Sequence, residues 1–166
     1  MNFRFCAVLS LLLLPSALGA QAPSSKESMR GLSGVYIHVL PLQKELEANG
    51  LSATEIHKVV EGAVRKAGIV VYDTPQPVDG NANLAIVIDT VKHPQGPVIY
   101  GVEVSLLQEV HLMRQPNTNP TPGQTWSAKA IGLTSANQLH LILEPLGAKV
   151  GEFVRDFVAA NPKPPR

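Results

Sequence analysis

Residues 51–72 read LSATEIHKVVEGAVRKAGIVVY, and this stretch decides the fold. Ser52 and Glu55 have capping-box spacing: the serine hydroxyl can accept from the amide three residues on, and the glutamate can reach back. Leu51 and Ile56 flank the cap as a hydrophobic staple. Ile56, Val59, Val60, Ala63, Val64 and Ala67 then recur at helical spacing and form one apolar stripe. Thr54, His57, Lys58, Glu61, Arg65 and Lys66 lie largely off it. Gly68 is a natural stop, because glycine enters the left-handed conformation without steric cost. Ile69–Tyr72 follows as a short apolar strand.

Upstream, Val35–Leu40 alternates, with Val35, Ile37 and Val39 on one face, and is rich in β-branched residues, so it also reads as a strand. Strand, helix, strand makes a right-handed crossover with parallel strands. Asp73–Asn81, with Pro75, Pro77 and Gly80, is a linker, and Leu84–Val91 is the next strand. Lys92–Pro97 makes a turn into the longest run, Val98–Arg114. There Val98, Tyr100, Val102, Val104, Leu106, Val110 and Leu112 face one side. Ile99, Gly101, Glu103, Ser105, Leu107, Glu109 and His111 face the other. One side therefore meets a core and the other is wet. Fully extended, such a run would reach about 55 Å, so a bend or bulge is expected near Leu106–Gln108.

The Pro/Asn-rich segment 115–123 suits a hairpin loop, and Thr125–Leu133 alternates again. Trp126, Ala128 and Ala130 lie on one side of it, and Ser127, Lys129 and Ile131 on the other. A closing helix is expected from about Ser135 to Ala160, with Leu139, Ile142, Leu146, Val150, Phe153 and Phe157 as its stripe. Pro145 must kink or restart it. The expected architecture is an α+β, two-layer sandwich in the order β-α-β-β-β-β-α. It has a mixed sheet of four or five strands and both helices on one face.

The N-terminus carries an address rather than a fold. Arg4, a charge-free apolar run from Phe5 to Leu14, and small residues at Ala17, Gly19, Ala20 and Ala22 have the order of a secretory signal peptide. Residues 1–20 are expected to be removed, with cleavage after Ala20 or Ala22, to give a periplasmic or secreted protein. The apolar run is well short of the ~20 residues a membrane-spanning helix needs. Residues 21–32 read as a flexible leader, 33–160 as a single domain, and 161–166 as a disordered tail. Cys6 is the only cysteine and lies in the leader. The mature chain therefore has no disulfide, no thiolate metal site and no cysteine nucleophile. Losing Arg4 also balances its acidic and basic residues, which leaves no electrostatic footprint for nucleic acid.

Catalytic signatures are missing: no serine lies in a nucleophile elbow, and no glycine-rich loop could cradle a phosphate. The chain is expected to be non-enzymatic and to use no cofactor. The five histidines, His38, His57, His93, His111 and His140, lack the i, i+2 or i, i+4 pairing that puts two imidazoles on one metal. No metal site is expected, and surface or structural roles suit each of them. Glu103, Glu109 and His111 share the wet face of the long strand and are candidate binding residues. Trp126 is a candidate hot spot if it points outward, and a core anchor otherwise.

The leader, the opening strand, the helix ending in Ala67-Gly68-Ile69-Val70-Val71, the strand at Asn83–Ile88 and the closing helix resemble a group of small bacterial envelope domains. These are the amino-terminal domain of the Tol-system translocation protein and the lipopolysaccharide-assembly lipoprotein of the outer membrane. The resemblance spans residues 33–160. It carries over no functional residue, and the chain lacks the lipid-accepting cysteine of the lipoproteins. Docking onto another cell-envelope protein is expected from the wet strand face, the Pro/Asn-rich segment 115–123 and the lack of a catalytic constellation, with contact through the long strand, that segment or a sheet edge. The alternative assignment is a small-ligand or metal-binding protein, or a weak hydrolase, built on Glu103, Glu109 and His111. The partner and the oligomeric state are not encoded in any motif.

Overall fold

The computed structural model describes residues 25–92, 96–116 and 118–162. The segment expected to be a signal peptide, residues 21–24, His93 and the last four residues lie outside them. The elements are β1 (Gly34–Val39), a short α1 (Lys44–Ala48), α2 (Ala53–Lys66), β2 (Val70–Tyr72), β3 (Asn83–Lys92), β4 (Val98–Val110), β5 (Thr121–Thr134) and α3 (Leu143–Ala160). One five-stranded mixed sheet in the order β2-β1-β3-β4-β5 is covered on one face, and the fold class is α+β. β1 runs parallel to both β2 and β3, and β4 and β5 complete an antiparallel meander.

The cap at the start of α2 forms as its spacing requires: Ser52 Oγ accepts from the Glu55 amide at 3.1 Å. Ile56, Val60 and Val64 are buried along the inner face of the helix, and Gly68 takes a φ of 79° just past its end. Val59, grouped with the stripe by spacing, is instead 39% exposed, because the buried stripe follows the narrower 56–60–64 line. Strand registry builds the facing layer in rows. Ile37, Leu84, Leu106 and Trp126 form one row, and Val39, Ile86, Val104 and Ala128 the next. Leu146, Val150, Phe153 and Phe157 of α3 close over the β4–β5 half, and α2 over the β1–β2 half. Each large aliphatic side chain fully removed from water contributes roughly 1.5–3 kcal/mol. This core has no crosslink to supplement it.

Several boundaries move from their sequence-based positions. The expected bulge falls between Leu106 and Leu107, but β4 stops at Val110 rather than Arg114. Thr121–Gly123, read as loop, already belong to β5. Pro122 is tolerated there because β5 is an edge strand. The closing helix starts at Leu143, after a 3₁₀ turn at Leu139–Ile142, not at Ser135. Pro145 therefore sits in the first turn of α3, where its missing amide would have had no intrahelical partner, and the helix is restarted without a kink.

The described part of the supposed flexible leader is ordered structure. Ser25–Met29 is a 3₁₀ turn, and Met29 is fully buried in the core. Ser28 Oγ donates to the Thr125 carbonyl, Lys26 pairs with Asp156 at 3.2 Å, and Asn161 accepts from the Gly31 amide and donates to the Met29 carbonyl. Asn161, assigned to the tail, thus fastens the two ends of the domain together. Aperiodic polar sequence hid this, because the apolar anchor is only Met29, fully buried, with Leu32 packed partly beside it.

The linker from β2 to β3 is held by one buried carboxylate. Asp79 is 4% exposed; its Oδ1 accepts from the Ser33 amide at 3.0 Å and its Oδ2 from the Tyr72 hydroxyl at 2.7 Å. Gly80 and Asn81 both take positive φ, which turns the chain into β3. Tyr72 needs room over β1, and Gly34 supplies it: a Cβ there would collide with the Val70 carbonyl and the Tyr72 ring. Donation to Asp79, with burial second, holds the Tyr72 phenol above its ordinary pKa of 10.0. The protonated phenol is the form the fold favours. Its contribution is complete below pH about 10 and is lost as pH rises through the raised value. Tyr72→Phe should destabilise the domain by about 1–3 kcal/mol at neutral pH, since it leaves a buried acceptor short of a donor. In urea titrations the gap between wild type and variant should close above pH about 10, and a gap that stays constant would remove Asp79 as the cause.

Candidate functional site

Because both helices sit on one face, the other face of the sheet is open. Three zones follow one another along it. At the start of β1 the linker 73–82 crosses it, with Tyr72 and Asp79. The middle carries small residues, Ala85, Ser105 and Ser127, in one cross-strand row, followed by Val87, Glu103 and Lys129 in the next. The far end is aliphatic apart from Asp89, which stands opposite Gly101. Val91, Ile99 and Leu133 lie side by side across β3, β4 and β5, and Ile131 projects two residues from Leu133, opposite Gly101. Their exposures are 66%, 45%, 67% and 83%. Four large aliphatic side chains gathered on one open face differ from the scattered exposed residues any surface carries.

The candidate residues named from sequence are not brought together. Glu103 lies in the middle zone, where its carboxylate accepts from Lys129 Nζ at 3.0 Å. Glu109 is further along β4 by six residues, about 20 Å at strand rise. It is exposed, and its amide donates to the Gly80 carbonyl. His111 is exposed beyond the end of β4. An acid–base or metal site uniting Glu103 with Glu109 and His111 therefore has no geometric basis. Among the described residues no group of three or more His, Asp, Glu or Cys side chains is placed to hold a metal ion.

Trp126 points inward, not outward. It is 4% exposed, packs edge-on against Phe153 at 5.4 Å between ring centroids, and donates from Nε1 to Asp156 at 3.1 Å. The outward hot-spot assignment is overturned: β5 registers Trp126 against Leu106, whose side chain is in the core. Trp126→Ala should cost about 3–5 kcal/mol. As the sole tryptophan, Trp126 in the wild type should emit at short wavelength and shift red on unfolding; a solvent-like emission from the native protein would contradict its burial.

Three concavities qualify as ligand space by size alone, one of them a hollow of about 370 Å³ between the 73–82 linker and the β4–β5 turn, with Glu109 and Gln108 on its wall. A cleft of about 580 Å³ runs between the start of α2 and the ends of β1 and β2, with His38, His57, Lys58 and Asp73 on its walls. Glu61 at its rim is already engaged by Arg65 at 2.7 Å, which holds its carboxyl below the ordinary range. The third, of about 500 Å³, lies between α1, Thr90 and Leu139. The depression over Gly101, floored by the missing side chain and walled by Val87, Glu103 and Ile131, holds about 180 Å³. That is below the ~300 Å³ at which small-molecule pockets begin. It suits a single protruding side chain.

Sequence reasoning missed the apolar end. Alternation had put Ile99 and Ile131 on the face carrying Glu103 and Lys129, and the charged neighbours made that face read as wet throughout. The available signal was large aliphatic residues in outward register on consecutive strands.

Among the described residues no helix is long and apolar enough to cross a membrane. No protein-family model matches the sequence, and no curated protein matches it. Among solved structures the chain is similar to a minor lipoprotein from Acinetobacter baumannii. The identity is 10%, over 77% of this chain and 92% of that one, with a TM-score of 0.30. A likeness of that size transfers neither a residue nor a role, so the resemblance to envelope domains stays at the level of α+β class.

Proposed function

We propose that this chain is an exported, non-enzymatic docking module of the bacterial cell envelope that binds another envelope protein through the open face of its sheet. The observation that carries the reading is the aliphatic cluster of Val91, Ile99, Ile131 and Leu133. Water contact of that apolar area is unfavourable by roughly 25 cal/mol per Å², and a partner's apolar surface would relieve it. The depression at Gly101 would seat one partner side chain, and the Glu103–Lys129 pair would form the polar rim that interfaces of this kind carry. The leader Phe5–Ala22 supports export, and docking needs no catalytic constellation.

Site-specific photocrosslinking in cells tests the assignment. A benzoylphenylalanine at Ile99 or Val91 should give a reproducible adduct with one envelope protein, and the same label at Lys58 on α2 should not. Adducts from Lys58 alone would move the docking surface to the helices. Ile99→Glu should reduce the adduct formed from Val91 at least tenfold without changing the Trp126 emission.

A further inference from the structure

β5 is an edge strand of fourteen residues, paired by β4 on one side and by no other strand among the described residues. The direction of its backbone groups follows from the ladder. The Tyr36 and Leu40 amides donate to the carbonyls of Ala82 and Ile86, so even-numbered residues of β3 face β1. Odd-numbered residues of β3 therefore exchange bonds with odd-numbered residues of β4, and even-numbered residues of β4 with Trp126, Ala128, Ala130 and Gly132. What remains is the N–H and C=O of Ser127, Lys129, Ile131 and Leu133, all pointing away from the sheet.

Natural edge strands are usually guarded by shortness, proline or an outward charge. This one is long, and its proline, Pro122, lies at the end near the β4–β5 turn. Its one charged side chain between Ser127 and Thr134, Lys129, is already neutralised by Glu103 at 3.0 Å. The side chains beside the free edge are Ile131 and Leu133, 83% and 67% exposed.

We propose that the free edge of β5 is occupied by β5 of a second copy of this chain, antiparallel, with Ile131 opposite Ile131 about a two-fold axis perpendicular to the sheet. In that register Lys129 of each copy lies opposite Leu133 of the other, so its aliphatic stem covers the leucine. The two ammonium groups stand about four residues apart along the strands, roughly 13 Å, and do not repel at close range. All outward backbone groups from Lys129 to Leu133 gain partners. The interface is isologous and closes as a dimer.

Once the leader is cut, the residues ahead of Ser28 are too few to pair the whole of this edge. Ser28 is bonded to the Thr125 carbonyl, so the N-terminal turn sits at the start of the free edge. A mature chain starting at Gln21 places a reach of roughly 20 Å ahead of Ser28, with Ser25–Met29 as a 3₁₀ turn. That ends at Ile131, and Leu133, about 26 Å beyond Thr125 at strand rise, lies past it. Because the axis is perpendicular to the sheet, both open faces stay on the same side. Ile99, Ile131 and Leu133 of the two copies then merge into one apolar surface. The dimer thereby deepens the docking function proposed above, while its existence does not depend on it.

The test uses the mature protein, purified after export and without residues 1–20, in sedimentation equilibrium with no partner present. A dimer is expected, and Ile131→Lys should weaken it at least tenfold while leaving the Trp126 emission native. The mature chain holds no other cysteine, so Ile131→Cys should oxidise to a covalent dimer, because Cα atoms of a hydrogen-bonded antiparallel pair lie about 5.5 Å apart, within disulfide range. Ser127→Cys should remain monomeric under the same oxidation. A monomer at concentrations up to about 100 µM, or a dimer indifferent to Ile131→Lys, would overturn the proposal. Crosslinking to another envelope protein with no self-adduct would leave the docking function standing and remove the second copy from the edge.

Discussion

Two amphipathic helices of fourteen and eighteen residues can cover one face of a five-stranded sheet and not both. That constraint organises the molecule. It sets the core-facing side chains of the four longer strands into one register, from Ile37 through Leu84 and Leu106 to Trp126. Small side chains then floor the middle of the uncovered face, where Ala85, Ser105 and Ser127 stand in line. The inner layer needs no disulfide because it is continuous: Trp126, Phe153 and Phe157 stack across the β5–α3 boundary, and α2 closes the other half.

Polar contacts then fix the places where hydrophobic burial alone would not choose between arrangements. Asp79 joins the start of β1, the end of β2 and the linker that passes between them, and a buried carboxylate with two donors tolerates little displacement. Asn161 does the same for the chain ends, bonding residues more than a hundred positions away. With Lys26–Asp156 and Trp126–Asp156 they make one corner where the N-terminal turn, β5 and α3 meet. That corner also sets where the free part of β5 begins.

The uncovered face and the uncovered edge meet at Ile131 and Leu133, and this is why function is placed there. An open sheet face with evenly spread charge would need no partner. Here Glu103 and Lys129 pair in the middle, and the aliphatic groups are collected at one end with Asp89 as the charge among them. They stand next to backbone donors and acceptors with no strand partner among the described residues. Apolar side chains and unsatisfied strand groups in one place favour an extended or self-complementary partner over a small ligand.

The sequence by itself determined the parts whose physics is local. The Ser52–Glu55 cap and the Ile56–Val60–Val64 line specify α2, Gly68 ends it, and period-two alternation specifies the strands and which face of each is apolar. It also carried the bulge at Leu106, because an unbroken run of that length cannot stay regular. Start points that depend on neighbours were not legible: Pro145 permits either a kink or a restart, and only packing of Leu139 and Ile142 chooses the restart. Met29 and Asp79 looked like loop residues, since nothing in a polar stretch announces a partner far away in the chain. For the site, the sequence put Glu103, Glu109 and His111 on one face, and their spacing along one strand already separated Glu103 from the other two. It could not give the capture of Glu103 by Lys129 or the end of β4 at Val110. Only the tertiary structure decided that Trp126 faces inward, that β5 is an edge, and that Val91, Ile99, Ile131 and Leu133 are neighbours. Alternation fixes the face of a residue within its own strand, whereas strand order and register, set by long-range packing, decide what stands beside it.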